Sequence, residues 1–219
     1  MSNAGQGDIS SNIPNSLGNA AQESTPAPAT NSGASISGLA LIATFAALIA
    51  VLALTPAVAI AGMAVPITLQ TLGVMLAGAI LGARRGALAV ALYIVVGLAG
   101  VPVFAQFTGG LSVLAAPSAG YLLSFPLAAA VIGVIAKRVP REGKLLPSLG
   151  MFGAVLAGAI SVYPAGIAVM AWRTGMSFGE AFIVNLTFVP GDLVKVVATV
   201  VIALSVRRAF PALNRAKRR

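Results

Sequence analysis

Asp192 and Lys195 are the residues of this chain best placed to do chemistry on a small molecule. They stand in the run Val189-Pro190-Gly191-Asp192-Leu193-Val194-Lys195. A spacing of three puts them one turn apart on the same face of a helix. From Lys195 to Val206 no further charge occurs, so the pair opens a membrane-length apolar run. An ionisable side chain at the middle of a bilayer costs about 2.5–3.5 kcal/mol on insertion scales, and such residues face protein or a cavity rather than lipid. Pro190 suits the first turn of a helix, where its missing N–H leaves no bond unmade. Asp192 in that turn sits near the positive end of the helix dipole. Two readings follow, an ion pair that pins the helix end and a polar anchor for a small ligand. The anchor is the expected role: its groups line a wet pocket when no ligand is bound, so mutating them should change ligand-free stability little.

The elements around this pair are those of a membrane protein. The chain has 219 residues, of which 58% are hydrophobic and 9% charged, with a mean hydropathy of +0.96. So little charge over this length implies an all-α integral membrane protein. There is no Cys and no His, which removes disulfides, thiolate or imidazole metal sites and His- or Cys-based catalysis. No nucleophile–base set or carboxylate pair occurs, so no enzyme and no bound cofactor are expected. No Walker A pattern occurs either, so ATP-driven work has to come from another subunit. A channel is disfavoured because one chain supplies too few polar residues to line a continuous pore. The net charge of +9 does not indicate nucleic acid: of the 14 Lys and Arg, all but Arg173 and Lys195 fall in three clusters flanking apolar segments. That distribution is a topology signal.

In chain order, residues 1–35 read as a disordered cytoplasmic tail, 36–208 as a six-helix membrane domain and 209–219 as a basic cytoplasmic tail. The first apolar segment, 36–55, carries the small-residue pairs Ala43/Ala47 and Ala46/Ala50, which allow close approach of another helix. An uncharged connection at 56–67 reads as a lid, and Thr68, Gln70 and Thr71 open the second segment, which ends at Leu81. The third runs over 86–100. A nineteen-residue uncharged loop at 101–119 follows, carrying Phe104, Gln106 and Phe107; ordered-looking loops of that length are more often functional than not. The fourth spans 120–136. The fifth, 147–172, is kinked at Pro164, and Ser177-Phe178-Gly179-Glu180 has capping-box spacing for a short helix. The sixth starts near Pro190 and ends at Arg207 and Arg208. Six spans put both termini on the side of the basic turns, so the expected topology is N-in, C-in. The 56–67 and 101–119 loops, Tyr121 and the Asp192/Lys195 pair then converge on the outer face. There, aromatic side chains suit a flat, partly apolar ligand with hydrogen-bonding edges.

The run Val65-Pro66-Ile67-Thr68-Leu69-Gln70-Thr71-Leu72-Gly73 closely resembles the start of the second helix of the BioY family, the biotin-binding S components of energy-coupling factor (ECF) transporters. The resemblance extends to Arg84-Arg85-Gly86, Tyr93, Gly97, Gly100, Pro102-Val103-Phe104, Gly109-Gly110, Pro117 to Leu122, and Pro190-Gly191-Asp192 with Lys195. It departs at Ser118-Ala119-Gly120-Tyr121, where the family commonly has Thr-Gly-Gly-Tyr, and at Ser124, where glycine is usual. The resemblance implies six helices in the bacterial inner membrane and a biotin site near the outer surface, covered by the first loop. It also implies assembly with a transmembrane coupling protein and two cytoplasmic ATPases, which use the ATP. Biotin enters as transported substrate; membrane lipid is the other partner. On this reading Asp192 accepts from the ureido N–H groups and Lys195 donates to the ureido carbonyl or to a carboxylate. Gln106, Gln70 and Thr68 supply neutral hydrogen bonds, and Phe104, Tyr93 and Tyr121 pack against the rings. Ala43, Ala46, Ala47 and Ala50 would meet the coupling protein. The rivals are an S component for another vitamin and a structural membrane protein whose Asp192–Lys195 pair fixes helix packing.

The topology is testable because the chain has no native cysteine. A cysteine placed at Ser112 should react with an impermeant thiol reagent from outside, and one placed at Arg141 should not; the reverse pattern would contradict N-in, C-in.

Overall fold

The computed structural model describes residues 32–56, 65, 67–140 and 142–210. The expected tails at 1–31 and 211–219, and most of the expected lid, lie outside the described residues. Within them the chain is helical: α1 (Ser32–Ala53), α2 (Gln70–Leu81), α3 (Ala83–Leu98), α4 (Ala119–Ala136), α5 (Leu145–Ser161), α6 (Tyr163–Thr174), α7 (Phe178–Asn185) and α8 (Val189–Ala209). Phe104 and Thr108 form an isolated antiparallel bridge. The first helix begins four residues before the expected boundary at 36.

Four helical stretches are long and apolar enough to cross a membrane: Ile36–Ala53, Ala119–Ala136, Leu145–Thr174 and Phe178–Ala209. This is a multi-pass membrane protein. The third stretch joins α5 to α6 through a break at Val162, where Pro164 sits in the first turn of α6 and has no N–H to return to the preceding turn. The fourth joins α7 to α8 through a single 3-10 turn. A capping box starts α7: Glu180 N–H donates to Ser177 Oγ at 3.3 Å, and Ser177 N–H donates to Glu180 Oε2 at 2.8 Å.

In lipid no hydrophobic effect draws helices together, so close van der Waals approach has to do so. Helix α4 lies against α2, α3, α5 and α6. Its tightest crossing is at Gly133, where a Cβ would collide with the backbone of Gly82 and Ala83. Large apolar side chains on the outer faces, such as Leu123, Leu127, Val197 and Val201, are exposed as lipid-facing residues should be. Helix α2 is different: eight of its twelve residues are buried, so it runs through protein rather than lipid.

Among the described side chains of helix α1, the buried apolar ones are Ala46, Ile49 and Ala53. A Cβ on Gly73 of α2 would come within 3.1 Å of the Ile49 Cα, so the two helices meet backbone to backbone there. The four expected docking alanines are divided by this packing. Ala43 and Ala47 are exposed, whereas Ala46 is buried and Ala50 packs half-buried on the core.

Candidate functional site

A cavity of about 350 Å³ opens where the N-terminal ends of α2, α4 and α8 meet the α5–α6 break and the 101–118 connection. Its floor is built from charge. Lys195 Nζ lies 3.1 Å from Asp192 Oδ1 and donates to Thr71 Oγ1 at 2.9 Å. The other carboxylate oxygen, Oδ2, accepts from the Tyr163 hydroxyl at 2.7 Å. The side chains are 9% and 19% exposed for Lys195 and Asp192 respectively, so most of their solvation comes from these partners. An ammonium carries three donors and each carboxylate oxygen two lone pairs. One Lys195 N–H and one lone pair on each Asp192 oxygen therefore remain for a ligand, and the pair presents no net charge.

The α5–α6 break contributes directly to this floor. By ending α5 at Ser161 it lets the chain restart with Tyr163, whose hydroxyl reaches Asp192 on α8. Tyr163 also meets Tyr121 edge-on, with ring centroids 6.4 Å apart, and Phe188 lies tilted against Tyr121 at the same separation. The Tyr121 hydroxyl donates to Asn185 Oδ1. Asn185 is buried, and its amide nitrogen donates to the Ala181 carbonyl at 2.7 Å. One wall is thus a row of aromatic rings, each tethered by its hydroxyl or by a neighbouring ring.

The opposite wall comes from the 101–118 connection. Phe104 N–H donates to the Thr108 carbonyl at 3.0 Å, closing a five-residue loop that carries Gln106. Gln106 and Phe107 adopt φ of +59° and +58°, a region non-glycine residues rarely occupy. Backbone held there persists only when its surroundings dictate it, and such positions cluster at binding sites.

Of the eight side chains expected at the site, the structure brings seven to the cavity: Thr68, Gln70, Phe104, Gln106, Tyr121, Asp192 and Lys195. Tyr93 is not among the lining residues. It is buried behind Phe104, its ring edge-on at 5.4 Å, and its hydroxyl donates to the Val103 carbonyl at 3.1 Å. Tyr93 positions the loop instead. Sequence reasoning missed Tyr163, Thr71, Asn185 and Phe188 as members of the site. For Tyr163 a signal existed, since it directly precedes the kink proline; for Asn185, it was a lone amide within an apolar stretch. The cavity also contains the rival geometry, a formed ion pair. The pair is a structural element and a lining element at once.

A sequence model of the BioY family matches residues 24–212. The biotin transporter BioY of Rhizobium etli is 38% identical over 178 residues, covering 80% of this chain and 95% of that protein. The biotin transporter BioY of Rhodobacter capsulatus is 41% identical over 181 residues, covering 78% and 94%. Among solved structures, the 2.1 Å crystal structure of the S-component for biotin from an ECF-type ABC transporter matches with a TM-score of 0.76 and 30% identity, over 82% of this chain and 95% of that one.

Removing one member of a buried pair typically costs about 3–5 kcal/mol, because the other charge is left unmatched. Lys195→Met should therefore lower the melting temperature of the ligand-free protein markedly, and adding Asp192→Asn should recover much of the loss. An unchanged melting temperature for Lys195→Met would contradict the pairing.

Proposed function

This chain belongs to the BioY family, and from that premise we propose that it is the biotin-binding S component of an ECF-type uptake transporter. It is a transport protein and not an enzyme. The observation that carries the reading is the neutral, hydrogen-bonding floor of the cavity beneath aromatic walls. A volume of about 350 Å³ falls within the range usual for small-molecule sites. Biotin offers a ureido group with two N–H donors and one carbonyl acceptor, a thioether ring and an acidic tail. In the proposed complex Asp192 accepts from the ureido N–H groups through its free lone pairs, and Lys195 donates its remaining N–H to the ureido carbonyl. Phe104 and Tyr121 pack on the rings, Tyr93 supports Phe104 from behind, and Gln106, Gln70 and Thr68 supply neutral hydrogen bonds. Biotin is the cargo, and no cofactor is needed in this subunit.

In the proposed membrane arrangement six spans, α1, α2, α3, α4, α5 with α6, and α7 with α8, cross the bacterial inner membrane with both termini in the cytoplasm. The basic residues 84–85, 137–144 and 207–208 lie at the inner ends of their helices on this arrangement, as the positive-inside rule asks. A transmembrane coupling protein docks on α1, and two cytoplasmic ATPases drive delivery. The exposed Ala43 and Ala47, one turn apart, suit that docking. Ala46 and Ala50 support α1 from within.

Titration calorimetry on ligand-free protein tests the site. Lys195→Ala and Asp192→Asn should each weaken biotin binding by about tenfold to a hundredfold, the effect of losing one charge-assisted hydrogen bond of about 1.5–3 kcal/mol. Unchanged affinity in both would place the site elsewhere. The double variant Ala43→Trp, Ala47→Trp should lose uptake and keep biotin affinity; normal uptake would remove α1 as the docking helix.

A further inference from the structure

We infer that the cavity reads only the ureido end of its ligand and leaves the acid end unread, so that it binds neutral carboxyl derivatives of biotin, amides above all, as it binds biotin. The inference rests on the biotin reading above and concerns which end of that ligand the site recognises.

Charge placement carries it. Among the described residues the cavity lining contains one cation and one anion, Lys195 and Asp192, and they are paired at 3.1 Å. A carboxylate seated on the last N–H of Lys195 would lie against the Asp192 carboxylate, a like-charge contact in a site with little water to screen it. A ureido carbonyl takes the same N–H without that repulsion, and its neighbouring N–H groups meet Asp192 favourably. The floor therefore suits a neutral group with donors and an acceptor side by side, and disfavours an anion.

Among the described residues the mouth offers the acid no cation either. Its exposed lining residues Gln106, Thr108 and Ser112 are neutral. Arg173 is the cation that meets the 101–118 connection, and it stands outside the cavity lining. Its guanidinium donates to the Leu114 carbonyl at 3.2 Å and stacks over the Trp172 ring at 4.3 Å. The other basic residues among those described sit at the far ends of their helices. Helix α2 gives Gln70 to the cavity, and Arg84 follows its other end; α8 gives Asp192, and Arg207 lies in its last turn. Residues 57–66, the expected lid, contain no Lys or Arg. An acid tail thus ends at a neutral, water-facing rim, where a carboxylate is solvated and an amide costs nothing extra.

The test compares biotin, biotinamide and biotinyl-lysine by titration calorimetry on the ligand-free full chain, and repeats biotin and biotinamide on Lys195→Met. Biotinamide is expected to bind within about tenfold of biotin, and biotinyl-lysine likewise. Lys195→Met should weaken biotin and biotinamide by the same factor, because the lysine contacts the part they share. A loss beyond about tenfold for biotinamide would overturn the inference. So would a Lys195→Met effect confined to biotin, which would put the carboxylate on Lys195. Absence of binding by biotin itself would instead defeat the functional reading, and this inference with it.

Discussion

A formed ion pair inside a membrane protein has to be solvated by the protein, and this requirement organises the fold around Asp192 and Lys195. Lipid supplies no hydrogen bonds, so each member of the pair draws a further partner from another helix. Thr71 brings the start of α2 to Lys195, and Tyr163 brings the α5–α6 break to Asp192. Three elements distant in sequence are thereby pinned at one depth. The cavity is the space left where they meet. Removing the pair would free those helix ends.

The rest of the packing lets that meeting happen without large side chains in the way. Gly133 allows α4 to press on the α2–α3 turn, and Gly73 allows α1 to touch α2 through its backbone. A tightly packed centre is combined with an α1 that keeps much of its surface exposed. Phe104, braced by Tyr93, and Gln106, held at positive φ by the Phe104–Thr108 clasp, extend the fixed part into the 101–118 connection.

Features set by local rules were legible in the sequence. The break at Pro164, the capping box at Ser177 and the one-turn spacing of Asp192 and Lys195 each depend on residues within four positions of one another. The membrane character followed from composition, and seven of the eight expected site side chains do line the cavity. What escaped was tertiary. Tyr163 lies 29 residues from Asp192, Asn185 64 from Tyr121, and Thr71 124 from Lys195, and no spacing rule joins positions so far apart. Tyr93 was misplaced because helix rotation decides whether a tyrosine faces a cavity or the loop behind it. The same phase problem divided the alanines of α1: in a helix so rich in alanine, nothing local separates the inward Ala46 from the outward Ala47.

The pairing of opposite charges leaves a floor with directional hydrogen bonds and no net charge, which on the proposed reading suits a polar but neutral group. Biotin meets that condition at its ureido ring and fails it at its carboxylate. A crystal structure of the biotin complex tests this most directly. The expected result is the ureido oxygen within hydrogen-bond distance of Lys195 Nζ, a ureido N–H on Asp192, and the carboxylate at the rim formed by Gln106, Thr108 and Ser112. A carboxylate seated on Lys195, with the ureido ring at the rim, would contradict it.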